Sequence, residues 1–312
     1  MFKKIISLLC SFAIIFLIYT TEKNKVFANE NELSFNFNSP EFEDAYILTE
    51  SRPLNSYNNY NVVNSNSFNG YLNRRISSKN IFITTATVFV AETYEIVDGE
   101  KIIKNSRLLN KDEVEEIGID NFENIKNRSS DLNYAEDEEN KGKLTIGILC
   151  VESNRTATSS QYEVVGVAEW DGFYLLDIGS LHPAVGEDFF GLCWFGDFAS
   201  SNYGCTVEYD GLTTIDGTLA AATPNAGRVW SFEELVELDA LRYWASPVYV
   251  YTTLTKNKLT GDGNNAEVVL QYTHTYRDFE GGASISDSGM SFSVNGTSKQ
   301  WSIACTVSNL YY

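Results

Sequence analysis

The sequence lacks most of the residues and motifs by which catalytic proteins are recognised. It has only two histidines in 312 residues. It also lacks the Gly-x-Ser-x-Gly elbow, the His-Glu-x-x-His zinc motif, the phosphate-binding loop and the dinucleotide fingerprint. A serine or cysteine nucleophile would therefore have few bases to activate it. These absences favour a non-enzymatic protein and leave the question of an enzyme open.

Positive charge is also scarce. The chain carries 23 Lys and Arg against 42 Asp and Glu, a net charge of -19. A field of that sign repels nucleic acids and anionic membrane surfaces and favours solubility. We expect no nucleic-acid partner. Neutral glycans, cations and basic proteins remain as ligand classes.

Long apolar runs are absent except at the N-terminus. Lys3 and Lys4 precede the apolar run from Ile5 to Tyr19, and a polar stretch then ends at Val26, Phe27 and Ala28. This order is that of a secretory signal peptide with cleavage after Ala28, and the run is shorter than a spanning helix needs. We expect a secreted, extracellular protein without a membrane span once the signal is removed; its oligomeric state stays open.

Composition divides the remaining chain into three units. Residues 29–78 are rich in Asn and Ser, clearest in the run from Ser56 to Asn73, and bury too little apolar surface to offset the cost of ordering. We interpret them as a disordered leader. Residues 79–142 read as a β-hairpin turning at Asp98-Gly99, a short helix capped by Asn110 and Glu113, and a charged linker. Residues 143–312 form the main domain.

The main domain shows strand patterns throughout. Segments such as LTIGILCVES, SQYEVVGVAEW, FYLLDI and AEVVLQYTHTY are separated by clusters of Gly, Asn, Asp, Ser and Pro. Short strands at such intervals predict a mainly β fold, an antiparallel β-sandwich of the jelly-roll or Ig-like kind. One interruption, SFEELVELDAL from Ser231, predicts a short helix with a Ser231–Glu234 capping box. The fold therefore has one or two short helices.

Four cysteines remain after signal removal: Cys150, Cys193, Cys205 and Cys305. An even number in an oxidising compartment predicts two disulfides. The stretch GEDFFGLCWFGDFASSNYGC, from Gly186, has a strand apolar on both faces, which is typical of a strand covered on both sides. A hairpin near Ala199 would place Cys193 opposite Cys205, and elimination then pairs Cys150 with Cys305.

Aromatic residues next to polar ones are the candidate ligand-binding residues. Tryptophan rings can lie against sugar rings while Asp or Asn binds hydroxyl groups, and rings of this size are also common in cores. The candidates are Trp170, Asp171, Trp194, Asp197 and Asn202. The partner we expect is an extracellular or cell-surface glycan or protein. His274 lies on a strand face with tyrosines, and we interpret it as a packed histidine.

Two other functions stay open. A glycoside hydrolase needs only two carboxylates, and Glu169, Asp171, Glu187, Asp188 and Asp197 are near one another in sequence. An exported toxin or bacteriocin-like effector is the third class. No cofactor is predicted; structural calcium is the one ion for which the sequence leaves room, in the loop of Asp262, Asn264 and Asn265.

Overall fold

A computed structural model describes residues 45–53, 81–97, 100–119, 122, 139–171, 187–209, 213–238, 241–257, 265–276, 281–286, 289–294 and 299–311. The predicted signal peptide, most of the predicted leader, the FYLLDI segment, His182 and the predicted calcium loop up to Asn264 lie outside them. In the described part of the chain, no helix has the length and hydropathy needed to cross a membrane.

Sixteen strands and one named helix, α1, make up the described residues. They are β1 Ile47–Pro53, β2 Ile81–Val97, β3 Glu100–Leu108, α1 Lys111–Ile117, β4 Asn140–Arg155, β5 Ser159–Asp171, β6 Glu187–Trp194, β7 Ala199–Tyr209, β8 Thr213–Asp216, β9 Thr218–Thr223, β10 Gly227–Glu233, β11 Leu235–Leu238, β12 Leu241–Asn257, β13 Asn265–Tyr276, β14 Gly281–Ser286, β15 Gly289–Val294 and β16 Lys299–Tyr311. The strand pairs are antiparallel throughout.

Two sheets face each other across one core. The large sheet has the order β1-β2-β4-β5-β12-β7-β8, with β3 paired to β2 and β11 to β12. The small sheet has the order β16-β13-β6-β10-β9. The main apolar cluster draws on both, from Ile146 and Val250 in the large sheet to Leu192 and Leu270 in the small one. The predicted mainly β sandwich is confirmed.

Local sequence signals place several elements correctly. Val97 pairs with Glu100, so β2 and β3 are joined across the two residues Asp98 and Gly99 as predicted. Asn110 and Glu113 form both hydrogen bonds of a capping box at the start of α1. All residues of β6 after Glu187 are buried, which confirms a strand covered on both faces.

Two predictions of local structure are wrong. The segment predicted as a helix from Ser231 forms the end of β10 and then β11, because Phe232 and Val236 lie against the core at alternate positions. Within the predicted leader, residues 47–53 form β1, which pairs with β2. The division of the chain at residues 79 and 143 stays a prediction; β2 and β4 pair across the second boundary.

The predicted disulfides are also wrong. Strands β6 and β7 do not form a hairpin, because β6 belongs to the small sheet and β7 to the large one. Cys193 therefore does not lie opposite Cys205, and all four cysteines of the described residues are buried free thiols. Burial raises the pKa of Cys193 and of Cys205 to about 12.

Candidate functional site

A buried group of ionisable side chains lies at one end of the sandwich, between the two sheets. It consists of Glu92 on β2, Asp188 on β6, Glu234 directly after β10, and His274 on β13, each at most 2% exposed. Each is placed by strand alternation, since Val90, Phe190, Phe232 and Tyr272, each two residues away, belong to the core. The apolar faces of four strands therefore carry these four polar side chains into one place. We call them the His274 cluster.

The imidazole of His274 lies at the centre of the cluster. Its Nδ1 atom is 3.2 Å from Oδ2 of Asp188 and 3.3 Å from Oε1 of Glu234. Its Nε2 atom is 3.3 Å from Oε1 of Glu92. One ring nitrogen thus faces two carboxylates of the small-sheet side, and the other faces the single carboxylate of the large sheet.

A further set of hydrogen bonds holds the carboxylates in place. The Tyr272 hydroxyl donates to Oδ2 of Asp188 at 2.5 Å, and the backbone N–H of Thr275 donates to Oδ1 at 2.8 Å. Ser106 donates to Oε1 of Glu92 at 3.0 Å. The Trp301 indole in turn donates to Ser106 at 2.9 Å. The orientation of these side chains is therefore fixed from outside the cluster.

Low dielectric and close charges shift the pKa values of the cluster. Burial raises the pKa of Glu234 to about 8, and the nearby charge of Asp188 adds to the effect. Burial alone would lower the pKa of His274, but Asp188 and Glu234 outweigh it and hold that pKa well above its ordinary value. Unless another cation is bound, the protonated imidazole of His274 supplies the positive charge that faces the three carboxylates.

The cluster has the donor atoms of a metal site. Asp188, Glu234 and His274 can each offer one ligand atom, and these three atoms lie within 4.8 Å of one another. Carboxylate oxygen and imidazole nitrogen are ligands of divalent metals. Because all three side chains are buried, they can hold an ion or a proton but cannot contact a large substrate in this conformation.

The two predicted sugar-stacking rings do not face solvent. Trp170 is 2% exposed and Trp194 is 1% exposed. Trp170 packs edge-on against His274 at 5.6 Å between ring centroids, and its indole donates to the Tyr272 hydroxyl at 3.1 Å. Trp194 donates to the Phe198 carbonyl at 2.9 Å. Both rings serve the core, so a sugar-binding face built on them is wrong.

The other three predicted residues lie in different places. Asp171 ends β5 and pairs with Lys143. Asp197, whose side chain is 88% exposed, lies in the loop between β6 and β7, where its Oδ2 is 3.8 Å from Nζ of Lys256. Asn202 is exposed on β7 with φ 48°. The structure therefore leaves Asp197 and Asn202 open to a ligand.

Asn202 belongs to a β-bulge in β7. Ser201 pairs with Thr253 and Gly204 with Tyr251, so Asn202 and Tyr203 together face the single residue between those partners. The left-handed backbone of Asn202 is tolerated by this residue type better than by most. A bulge redirects side chains, and the next one is the exposed ring of Tyr203.

Tyr203 on β7, Ile215 on β8 and Leu219 on β9 are exposed apolar side chains of three consecutive strands, and we call them together the edge patch. They are 45%, 39% and 44% exposed. Tyr203 shares a strand face with the core residue Cys205; Ile215 pairs with Val207, and Leu219 pairs with Trp230. Cross-strand partners share a face of the sheet, so all three side chains lie on the core-facing side of their strands. The sandwich is therefore open to solvent between the edge strands β8 and β9.

Arg228 fixes the ring of Tyr203. Its guanidinium carbon lies 3.6 Å from the centroid of that ring, a cation–π contact. Its Nη2 and Nε atoms donate to the Ser200 hydroxyl at 2.8 and 3.1 Å. The edge patch thus presents an oriented aromatic ring, with Arg228 on one of its faces.

The carboxylates predicted for a hydrolase do not all converge. Asp188 is the second residue of β6, whereas Asp197 follows the far end of that strand, so about 20 Å of strand separates them. A glycosidase pair must lie within about 9.5 Å. Asp188 and Asp197 therefore cannot form such a pair.

Sequence reasoning missed Glu92 and Glu234. Both sit at core-facing positions of an alternating pattern, Val88-Val90-Glu92 and Phe232-Glu234-Val236. A charged residue at a position where the alternation predicts a buried apolar side chain is the sequence signal that indicates such a residue. For Glu234 the prediction of a helix from Ser231 hides this signal, because a helix does not have the alternation of a strand.

The sequence matches no protein-family model and no curated protein sequence. Solved structures give weak likenesses only. A pore-forming protein matches at 8% identity over 59% of this chain and all of its own, with a TM-score of 0.24. A collagen adhesin from S. aureus matches at 8% over 74% of this chain and 88% of its own, with a TM-score of 0.21. The Enterococcus faecalis MSCRAMM ACE matches at 7% identity over 74% of this chain and 90% of its own, with a TM-score of 0.26. Such TM-scores assign this chain to none of these folds.

Proposed function

We propose that this chain is an exported, non-enzymatic binding protein that binds a neutral extracellular glycan at the edge patch. The observation that carries the proposal is the exposure of three apolar side chains on the core-facing side of their strands. Residues in such positions are normally buried, so their exposure marks a surface that a ligand can cover. Export rests on the N-terminal sequence.

The chemistry of the edge patch favours a sugar. The Tyr203 ring is held by Arg228 and is 45% exposed, as a stacking platform for a pyranose requires. Asn202 next to it, and Asp197 in the loop that leads into β7, supply groups that can bind hydroxyls. The net charge of -19 disfavours polyanionic ligands.

The test is an array of glycans and extracellular matrix proteins probed with the exported chain. We expect a neutral glycan to bind and Tyr203→Ala to weaken binding about tenfold, the loss of roughly 1.4 kcal/mol of contact. Ile215→Ala should weaken it less. Ile47→Ala is the matched control, because Ile47 is 40% exposed on β1 at the opposite edge of the large sheet.

Each outcome selects one class of function. Binding to a matrix protein and not to a glycan would show that the ligand is a protein. Release of reducing sugar ends would show that the chain is a glycoside hydrolase. Glycan binding that survives both edge-patch substitutions would refute the edge patch as the site.

A further inference from the structure

A second site stands apart from the edge patch. We propose that Asp188, Glu234 and His274 form a structural binding site for one divalent transition-metal ion, with Zn²⁺ as the ion that fits the ligands. The proposal uses none of the residues of the edge patch. The two proposals can therefore fail separately.

The spacing of the ligand atoms supports this assignment. Nδ1 of His274 is 3.2 Å from Oδ2 of Asp188 and 3.3 Å from Oε1 of Glu234. Ligands bonded to zinc at about 2.0 to 2.1 Å in a tetrahedron lie roughly 3.3 to 3.4 Å from one another. The oxygens of Asp188 and Glu234 lie within 4.8 Å of each other, so the three atoms reach one ion once these two carboxylates move closer together.

An unsatisfied oxygen points to the same place. Oε1 of Glu234 is buried, and no group of the described residues donates to it with normal hydrogen-bond geometry; Nδ1 of His274 is 3.3 Å away. A buried carboxylate oxygen without a donor is costly, and a metal bond would satisfy it. Two carboxylates also neutralise one divalent ion when His274 is neutral, so the ion replaces the imidazolium as the source of positive charge.

The surroundings match those of a metal-bound histidine. When Nδ1 binds the metal, the proton is on Nε2, which lies 3.3 Å from Oε1 of Glu92 and has no hydrogen-bond partner of normal geometry among the described residues, so that it is free to donate there. Metal-ligating histidines commonly donate their other N–H to a carboxylate. Asp188 is likewise oriented by the Tyr272 hydroxyl and the Thr275 N–H. An imidazole ligand favours zinc and its neighbours over calcium or magnesium, which take oxygen ligands.

The burial of the three ligand side chains determines at which stage of folding the ion binds. The three ligand side chains are at most 2% exposed, so the ion is taken up as the sandwich closes. We therefore expect a chelator to remove it only from the unfolded chain. We also expect Co²⁺ or Cu²⁺ to quench the fluorescence of Trp170 and Trp301, whose rings lie 5.6 and 5.1 Å from the imidazole.

The test unfolds the exported chain in guanidinium with EDTA and refolds it with Zn²⁺, with Ca²⁺ or without metal. Elemental analysis should give one zinc per chain, and the Tm should rise with Zn²⁺ alone. Co²⁺ should produce the visible bands of a tetrahedral site, in which a water molecule takes the fourth position beside the three side chains. Glu234→Gln should lower zinc affinity at least tenfold. Glu187→Gln, the neighbouring carboxylate on the opposite face of β6, should leave it unchanged.

Two results would overturn the proposal. A folded wild-type chain without stoichiometric zinc or a zinc-dependent Tm would show that the cluster holds protons only. Preference for Ca²⁺ over Zn²⁺ would refute the metal class. Both results, the zinc content with its effect on the Tm and the preference between Zn²⁺ and Ca²⁺, are measured on the wild-type chain. The proposal can therefore be refuted even if a variant fails to fold.

Discussion

Gly166 marks a close approach of the two sheets, and adding one methyl group there tests the packing of the sandwich. A Cβ atom at this position of β5 would lie 2.3 Å from Cδ1 of Leu270 and 2.9 Å from Cγ2 of Val250. Ordinary contacts between such atoms are 3.5 to 4.0 Å. Leu270 and Val250 are fully buried, so neither can turn into solvent.

The expected cost follows from two opposing effects. Overpacking a core with one methyl group costs about 1 to 3 kcal/mol, whereas replacing Gly within a strand gains about 0.5 to 1 kcal/mol. Gly166→Ala should therefore lower the free energy of unfolding by about 0 to 2.5 kcal/mol, toward the upper end because the contact with Leu270 is as short as 2.3 Å. Leu270→Ala alone should cost about 2 to 5 kcal/mol. In the double variant the new methyl group lies in the space that Leu270 has left, so the combined cost should be smaller than the sum.

Urea unfolding of the four proteins, followed by fluorescence and circular dichroism, measures this double-mutant cycle. We expect an interaction energy of at least about 1 kcal/mol in the favourable direction. Additivity within about 0.5 kcal/mol would show that residues 166 and 270 are not in contact. That result would refute the observed facing of β5 and β13.

Three further predictions concern thiols, a buried hydroxyl and a surface charge pair. The four core cysteines should be inert to DTNB in the native protein and should all react after unfolding without reductant; two thiols that stay silent would reveal a disulfide. Tyr272→Phe should lower the free energy of unfolding by about 2 to 4 kcal/mol, because Asp188 loses a donor and the Trp170 indole loses its acceptor; thermal and urea unfolding measure this, and a cost below 1 kcal/mol would contradict the network. Burial and the facing Glu187 raise the pKa of Glu233 above its ordinary 4.5, so its ionisation destabilises the folded state. Glu233→Gln should therefore stabilise the protein by about 0.5 kcal/mol at pH 7, and the gain should vanish below pH 4.5 and shrink with added salt; a gain independent of pH would rule out this cause.

Local patterns predicted the elements well. Alternation of apolar residues identified β4, β5, β6 and most later strands, and the Asn110–Glu113 pair identified the start of α1. These features depend on residues a few positions apart. A single sequence carries them in full.

Assignment of strands to sheets could not be predicted in the same way. Alternation shows which side chains share a face, but Cys193 and Cys205 have neighbours from strands far away in sequence. The same limit hid the His274 cluster, whose members come from four strands. Aromatic content likewise could not distinguish the buried Trp170 from the exposed Tyr203, because exposure of a ring depends on whether another sheet covers it.

The interleaving of the two sheets along the chain has a consequence for biogenesis. Small-sheet strands β6, β9 and β10 lie between large-sheet strands in the sequence, and the small sheet is complete only once β16 has been made, at the end of the described residues. Distant pairings of this kind fold slowly and leave strand edges unpaired meanwhile. Trp301, which packs against His274, lies on β16, the last described strand. The earlier strands therefore have to stay apart until β16 is available, and a chain cut short before Lys299 would be left with its core still open.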